Sequence, residues 1–168
     1  MEKFLIKLFD TISKYEIVTN LIPGALLAYI LSYIGYELFF ENVFINIIVC
    51  YYVGVVNNRF SSLCLEELMR RAKWIEWRDY DKYNKAKQER PFVATLQQTA
   101  NQFRAFTAVF VLAILAFFFK LLQNNCNFFD KYGYLFLVGA LFFLFFFSYR
   151  KQVNDYVVKN IDEVNEQK

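Results

Sequence analysis

Four stretches of this chain carry no Asp, Glu, Lys or Arg: residues 17–36, 42–58, 105–119 and 132–149. A helix needs roughly 17–25 mostly apolar residues to cross a bilayer, and all four stretches are near that length. The third reaches it by running past Lys120 to Leu122, with the Lys120 ammonium reaching back to the interface. At 57% hydrophobic, the chain exceeds the roughly 45–50% usual in soluble domains. The expected fold is all-α: an integral membrane protein with four transmembrane helices, an N-terminal amphipathic helix and a cytoplasmic helical extension of spans 2 and 3.

The distribution of Lys and Arg sets the direction. Lys3, Lys7 and Lys14 precede the first span, and the loop between spans 1 and 2, Glu37 to Glu41, has no base. Ten bases lie between Arg59 and Arg104, against only Lys120 and Lys131 between spans 3 and 4. The positive-inside rule then places both termini and the middle segment in the cytoplasm. The expected organisation is an interfacial helix over 1–16, a first hairpin over 17–58, a cytoplasmic segment over 59–104, a second hairpin over 105–149 and a cytoplasmic tail over 150–168.

Residues 1–16 place Phe4, Leu5, Leu8, Ile12 and Tyr15 on one helical face and Lys7, Asp10, Thr11 and Lys14 opposite, the pattern of a helix lying in the interface plane. Pro23-Gly24 then heads the first apolar run. With Asn20 as a cap and Pro23 in the first turn, the pair reads as an elbow between a surface helix and a spanning helix. The alternative is a Pro inside one long helix.

Small residues mark the faces where helices meet. Gly24, Ala28, Ser32 and Gly35 form a stripe on span 1, and Asn46, Cys50, Gly54 and Asn57 form another on span 2. Small side chains let backbones approach closely in lipid, and an amide at membrane depth needs a partner or water. The second stripe fits helix packing or the lining of a pore. Fourteen of the 21 Phe lie between Phe103 and Phe147, which assigns spans 3 and 4 mainly to lipid, a dewetted gate being the other use of such rings. Four short spans bury little by themselves, so a homo-oligomer is expected.

The middle segment interleaves cations and rings: Arg70, Arg71, Lys73, Trp74, Trp77 and Arg78 lead this series. Cations draw phosphates and aromatic faces stack bases, so a nucleotide or short single strand is a reasonable ligand at these residues. Juxtamembrane bases and interfacial rings also satisfy membrane topology alone, and six acids from Glu66 to Glu89 offset the charge. Glu66–Arg70 and Glu67–Arg71 are expected as i,i+4 pairs on a helix running on from span 2 to just before Pro91.

Catalytic signatures are lacking. There is no His, no Gly-rich phosphate loop and no nucleophile elbow. Cys50, Cys64 and Cys126 have no metal-site spacing, and the odd count argues against a disulfide framework. No cofactor is expected, nor an enzyme.

Tyr15-Glu16-Ile17, followed by Asn20-Leu21-Ile22-Pro23-Gly24, resembles the start of many small multi-span bacterial proteins, several encoded beside nucleotide-signalling genes in anti-phage defence loci. The layout of four spans around a charged middle is similar to the membrane effectors of those systems, that of the Hailong system first and the four-span CBASS type second. In Hailong a nucleotidyltransferase makes a single-stranded DNA oligomer that holds a channel-like effector silent. The resemblance implies a channel-like homo-oligomer, a tetramer among the assemblies it allows, in the bacterial inner membrane. It implies a nucleotide or single-stranded DNA oligomer as regulator, a nucleotidyltransferase as partner, and membrane depolarisation as the outcome. A non-conducting scaffold that recruits a cytoplasmic protein is the competing reading.

Overall fold

The computed structural model describes residues 14–75, 83, 86 and 89–153. All regular structure among them is helical, and four helices are long and apolar enough to cross a membrane. Helix α1 runs through Lys14–Glu16, Ile17–Leu21 and Ile22–Ile34 without a break. Helix α2 is Val43–Arg71, α3 is Phe92–Asn125 and α4 is Asn127–Gln152. The chain divides into two compact units, with the boundary after Lys120. The interfacial helix expected before Lys14, and the tail beyond Val153, lie outside the described residues.

Pro23 is not an elbow. Leu21, the residue before Ile22–Ile34, is itself helical, and Asn20 sits inside the helix rather than capping one. The chain instead absorbs Pro23 with a π turn over Ile17–Leu21, closed by the Ile22 N–H bonding back to the Ile17 carbonyl. A proline inside a helix lacks an N–H and crowds the carbonyl four residues earlier. Widening the preceding turn relieves both problems, as membrane helices tolerate.

A second π turn, Ser61–Leu65, sits in α2 and closes with the Glu66 N–H on the Ser61 carbonyl. In a regular helix Glu66 would lie about 180° from Asn57. The wider turn swings it back, so Asn57, Ser61, Leu65 and Glu66 are all buried.

Two glycines set how closely α1 and α2 cross. A Cβ on Gly24 would fall 2.7 Å from Gly54 Cα, and one on Gly54 would fall 3.0 Å from Asn20 Cα and closer still to the Asn20 carbonyl. The crossing is backbone against backbone. Ala28, Leu27 and Cys50 are buried beside it, and Ala105, Ala108 and Val109 of α3 complete the core of the first unit.

Helix α2 stops earlier than expected, at Arg71. Lys73 takes a left-handed backbone, φ 57°, and the Trp74 N–H reaches the Met69 carbonyl at 3.0 Å, the closing bond of a Schellman cap. Such caps normally use Gly, and a lysine there costs about 1–2 kcal/mol, so no sequence signal announced the stop.

In the second unit, α4 begins after Cys126, whose extended backbone starts the new helix. Its rings stack along its own length: Phe142 on Phe146 at 6.2 Å and Phe143 on Phe147 at 6.4 Å between centroids. These faces point outward, as expected of a lipid-facing helix.

Candidate functional site

The buried polar residues of the first unit, Thr19, Asn20, Asn57, Ser61 and Glu66, converge on one end of its helices, past the Gly24–Gly54 crossing. Asn57, fully buried, donates from Nδ2 to the Ala105 carbonyl at 2.9 Å and so ties α2 to α3. Its neighbour Asn58 donates to Asn20 Oδ1 at 3.0 Å and ties α2 to α1. Asn101 of α3 donates to the Tyr15 hydroxyl at 3.0 Å, and Thr19 donates back to the Tyr15 carbonyl at 2.7 Å. Arg104 pairs with Glu66 through Nη1 and Oε2, with only 18% and 10% of their side chains exposed. Three helices are therefore joined by polar contacts at the level where the uncharged runs end.

Two buried atoms of this joint have no hydrogen-bond partner among the described residues: Asn57 Oδ1, an acceptor, and Arg104 Nε, a donor. An unsatisfied buried polar atom costs about 1–3 kcal/mol. Both π turns lead directly into the joint, through Asn20 on α1 and Glu66 on α2. Such turns are frequent at functional sites.

The expected stripes divide in their roles. Gly24, Ala28, Cys50, Gly54 and Asn57 form the helix interface within the chain. Ser32 is half-buried on the same helix. Gly35 instead ends α1 in a left-handed conformation, φ 101°. Asn46 braces the loop between α1 and α2, accepting from the Phe40 N–H at 2.8 Å and donating to the Phe40 carbonyl at 2.9 Å. At that end of the first unit Tyr36 donates to the Ala116 carbonyl at 3.2 Å, and the Lys120 ammonium sits 5.1 Å from the centre of the Tyr36 ring.

The basic residues also sort differently from expectation. Glu66 does not pair with Arg70, because the π turn has rotated it onto α3 and Arg104. Glu67 takes both guanidiniums instead, Arg70 at 2.7 Å and Arg71 at 2.8 Å. It lies well past the uncharged run, and hydrogen bonds from Arg70 and then Arg71 hold its carboxyl down at about 2. The trio keeps one net positive charge. Lys73 and Trp74 stand exposed on the turn that follows, Trp74 at 77%. Trp77 and Arg78 lie outside the described residues.

Sequence reasoning missed Asn20–Asn58, Tyr15–Asn101 and Glu66–Arg104. The available signal was the polarity of Asn20, Asn58 and Arg104 at the edges of apolar runs, where a polar group needs a partner. Comparison with protein families, curated proteins and solved structures finds no match for this chain.

Proposed function

We propose that this chain is an oligomeric membrane effector that forms a ligand-controlled pore, regulated at its cytoplasmic face by a nucleotide or oligonucleotide. The observation that carries the reading is the unbroken course of α2. Its 29 residues extend about 44 Å, while the hydrocarbon core spans about 30 Å. The charged end, with Arg70 and Arg71, is thus rigidly continuous with the membrane-spanning part. A phosphate-bearing ligand held by Arg70, Arg71, Lys73 and Trp74 bears directly on the span.

The polar joint supplies the element to be switched. It holds α1, α2 and α3 together, yet leaves one donor and one acceptor unmet, so a second arrangement has hydrogen bonds to gain. The ligand acts only through its different affinity for the two arrangements. The resemblance to anti-phage membrane effectors supplies the setting: the bacterial inner membrane, a nucleotidyltransferase making the ligand, and loss of membrane potential as the result; the Lys and Arg distribution supports both termini being cytoplasmic.

The test is conductance of the purified full-length protein in a planar bilayer, with and without short single-stranded DNA and cyclic oligonucleotides. Discrete currents switched by one of these ligands are expected. Silence under every condition, from protein shown to be folded and oligomeric, refutes the pore and leaves the scaffold, which exposed Leu68 and Trp74 favour as a docking surface.

A further inference from the structure

Helix α2 ends at a point where its sequence still favours a helix. Ala72 and Lys73 are good helix formers, Trp74 and Ile75 are tolerated, and no Gly or Pro occurs before Pro91. Helical spacing also runs through the stop. At about 100° per residue, Arg70, Lys73 and Trp74 would share one face of a continuing helix, at i, i+3 and i+4. Leu68, Ala72 and Ile75 would share the opposite face.

The stop is weakly founded. It consists of two Schellman bonds, the Lys73 N–H to the Arg70 carbonyl at 3.1 Å and the Trp74 N–H to the Met69 carbonyl at 3.0 Å. A continuing helix replaces both, bonding the Lys73 N–H to the Met69 carbonyl and the Trp74 N–H to the Arg70 carbonyl. The left-handed residue is Lys73, φ 57°, where Gly is usual. For a residue with a Cβ, that backbone is disfavoured by a factor of about 5–30. Such caps are commonly backed by an apolar contact from the residue after the left-handed one, yet here that residue, Trp74, is 77% exposed.

The stop also falls within the group of residues that the ligand reading uses. Arg70 and Arg71 precede it, and Trp74 follows it. The reversed backbone at Lys73 keeps Trp74 out of the turn above Arg70. A right-handed Lys73 sets two cations and a ring side by side. That is the arrangement that takes a phosphate together with the base next to it.

We infer that Lys73 is a backbone switch: without ligand it holds the left-handed stop, and a phosphate-bearing, base-bearing ligand favours the right-handed form, which carries α2 on through Ile75. The inference rests on the ligand reading given above and names what the ligand changes. Four added residues lengthen the rigid end of α2 by about 6 Å. The ligand's different affinity for the two forms is what biases them.

The test compares Lys73→Gly with Lys73→Ala in the full-length protein in nanodiscs. Both remove the ammonium and differ in backbone preference alone, Gly accepting the left-handed form and Ala favouring the helix. Binding of a short fluorescein-labelled single-stranded DNA is read by anisotropy. Lys73→Gly is expected to bind about 5–30-fold more weakly than Lys73→Ala, because the competent form is rarer. Equal affinities, or tighter binding by Lys73→Gly, overturn the switch.

A second variant forces the turn. The chain has no His, so Arg71→His with Ile75→His creates one i,i+4 pair that chelates Ni2+ only across a continuous helical turn. Ni2+ is expected to tighten DNA binding by this variant and to leave Ile75→His alone unchanged. Failure to chelate Ni2+, or chelation that leaves DNA binding unchanged or weaker, overturns the switch. If neither the wild type nor any variant binds DNA, the ligand reading falls and takes the switch with it. A difference between Lys73→Gly and Lys73→Ala in a protein that conducts no current supports the switch and refutes only the pore.

Discussion

Gly24 on α1 and Gly54 on α2 meet with no side chain between them, and each would drive a methyl group into the other helix's backbone. Backbone has no rotamer with which to give way. Gly54→Ala is therefore expected to sit at the upper end of overpacking costs, about 3 kcal/mol. Gly139 on α4 is the control, since a Cβ there meets nothing within 4 Å. Gly139→Ala is expected to be neutral or stabilising by up to about 1 kcal/mol, from helix propensity alone. Thermal unfolding in detergent, followed by circular dichroism, reads both. Equal effects at the two positions would show that the close crossing is not required.

The Glu66–Arg104 pair ties α2 to α3 where the apolar runs end. Removing one partner strands a largely buried charge, so Glu66→Gln and Arg104→Gln are each expected to destabilise by about 2–3 kcal/mol, below the 3–5 kcal/mol of fully buried pairs. The double variant is expected to cost less than the sum, because neither charge is then left alone. A double-mutant cycle on chemical unfolding measures the coupling, and strict additivity would mean that the two side chains act independently. If the joint is the switched element, both single variants also raise basal conductance relative to Gly139→Ala.

Asn57 and Asn46 lie on one sequence stripe but hold different things. Asn57→Ala removes the contact with the Ala105 carbonyl and leaves a small void, an expected loss of about 1–2 kcal/mol. Asn46→Ala frees Phe40 in an exposed loop, where the same hydrogen bonds are replaced by water, and is expected to cost at most about 1 kcal/mol. Hydrogen exchange separates them: the first variant accelerates exchange along α2 and α3, the second only near Phe40 and the start of α2.

The four spans were legible because an uncharged run of bilayer length has few other folds available. The small-residue face of Gly24 and Ala28 was legible as an interface, whereas the stripe with Gly54 fitted packing or a pore lining until Gly54 was seen against the Asn20 backbone. The π turns were not. They arise from Pro23 in one helix and from contacts with α3 in the other, and no residue pattern announces a register shift of one position. That shift is why Glu66, an apparent partner of Arg70 at i,i+4, faces Arg104 instead. The stop at Arg71 was hidden for a related reason, because Lys73 adopts a backbone that usually selects Gly.

The ligand end of α2 yields a prediction whose sign depends on Glu67. Arg70 and Arg71 are both engaged by that one carboxylate, so an incoming phosphate competes with it for them. Glu67→Gln releases two guanidiniums and raises the local charge by one. It is expected to tighten binding of a short single-stranded DNA, whereas Arg70→Gln and Arg71→Gln weaken it. The difference shrinks as salt rises, because at about 1 M the screening length falls to about 3 Å. Its low pKa, about 2, keeps Glu67 ionised until strongly acid pH, and only there is its hold on the two arginines lost. With no His in the chain, no side chain of ordinary pKa changes charge between about pH 6 and 8. Binding is therefore expected to be flat across that range and steep in salt. Fluorescence anisotropy with labelled oligonucleotide at several salt concentrations and pH values measures all of this. Glu67→Gln binding no tighter than wild type at low salt would remove the ligand from this end of α2.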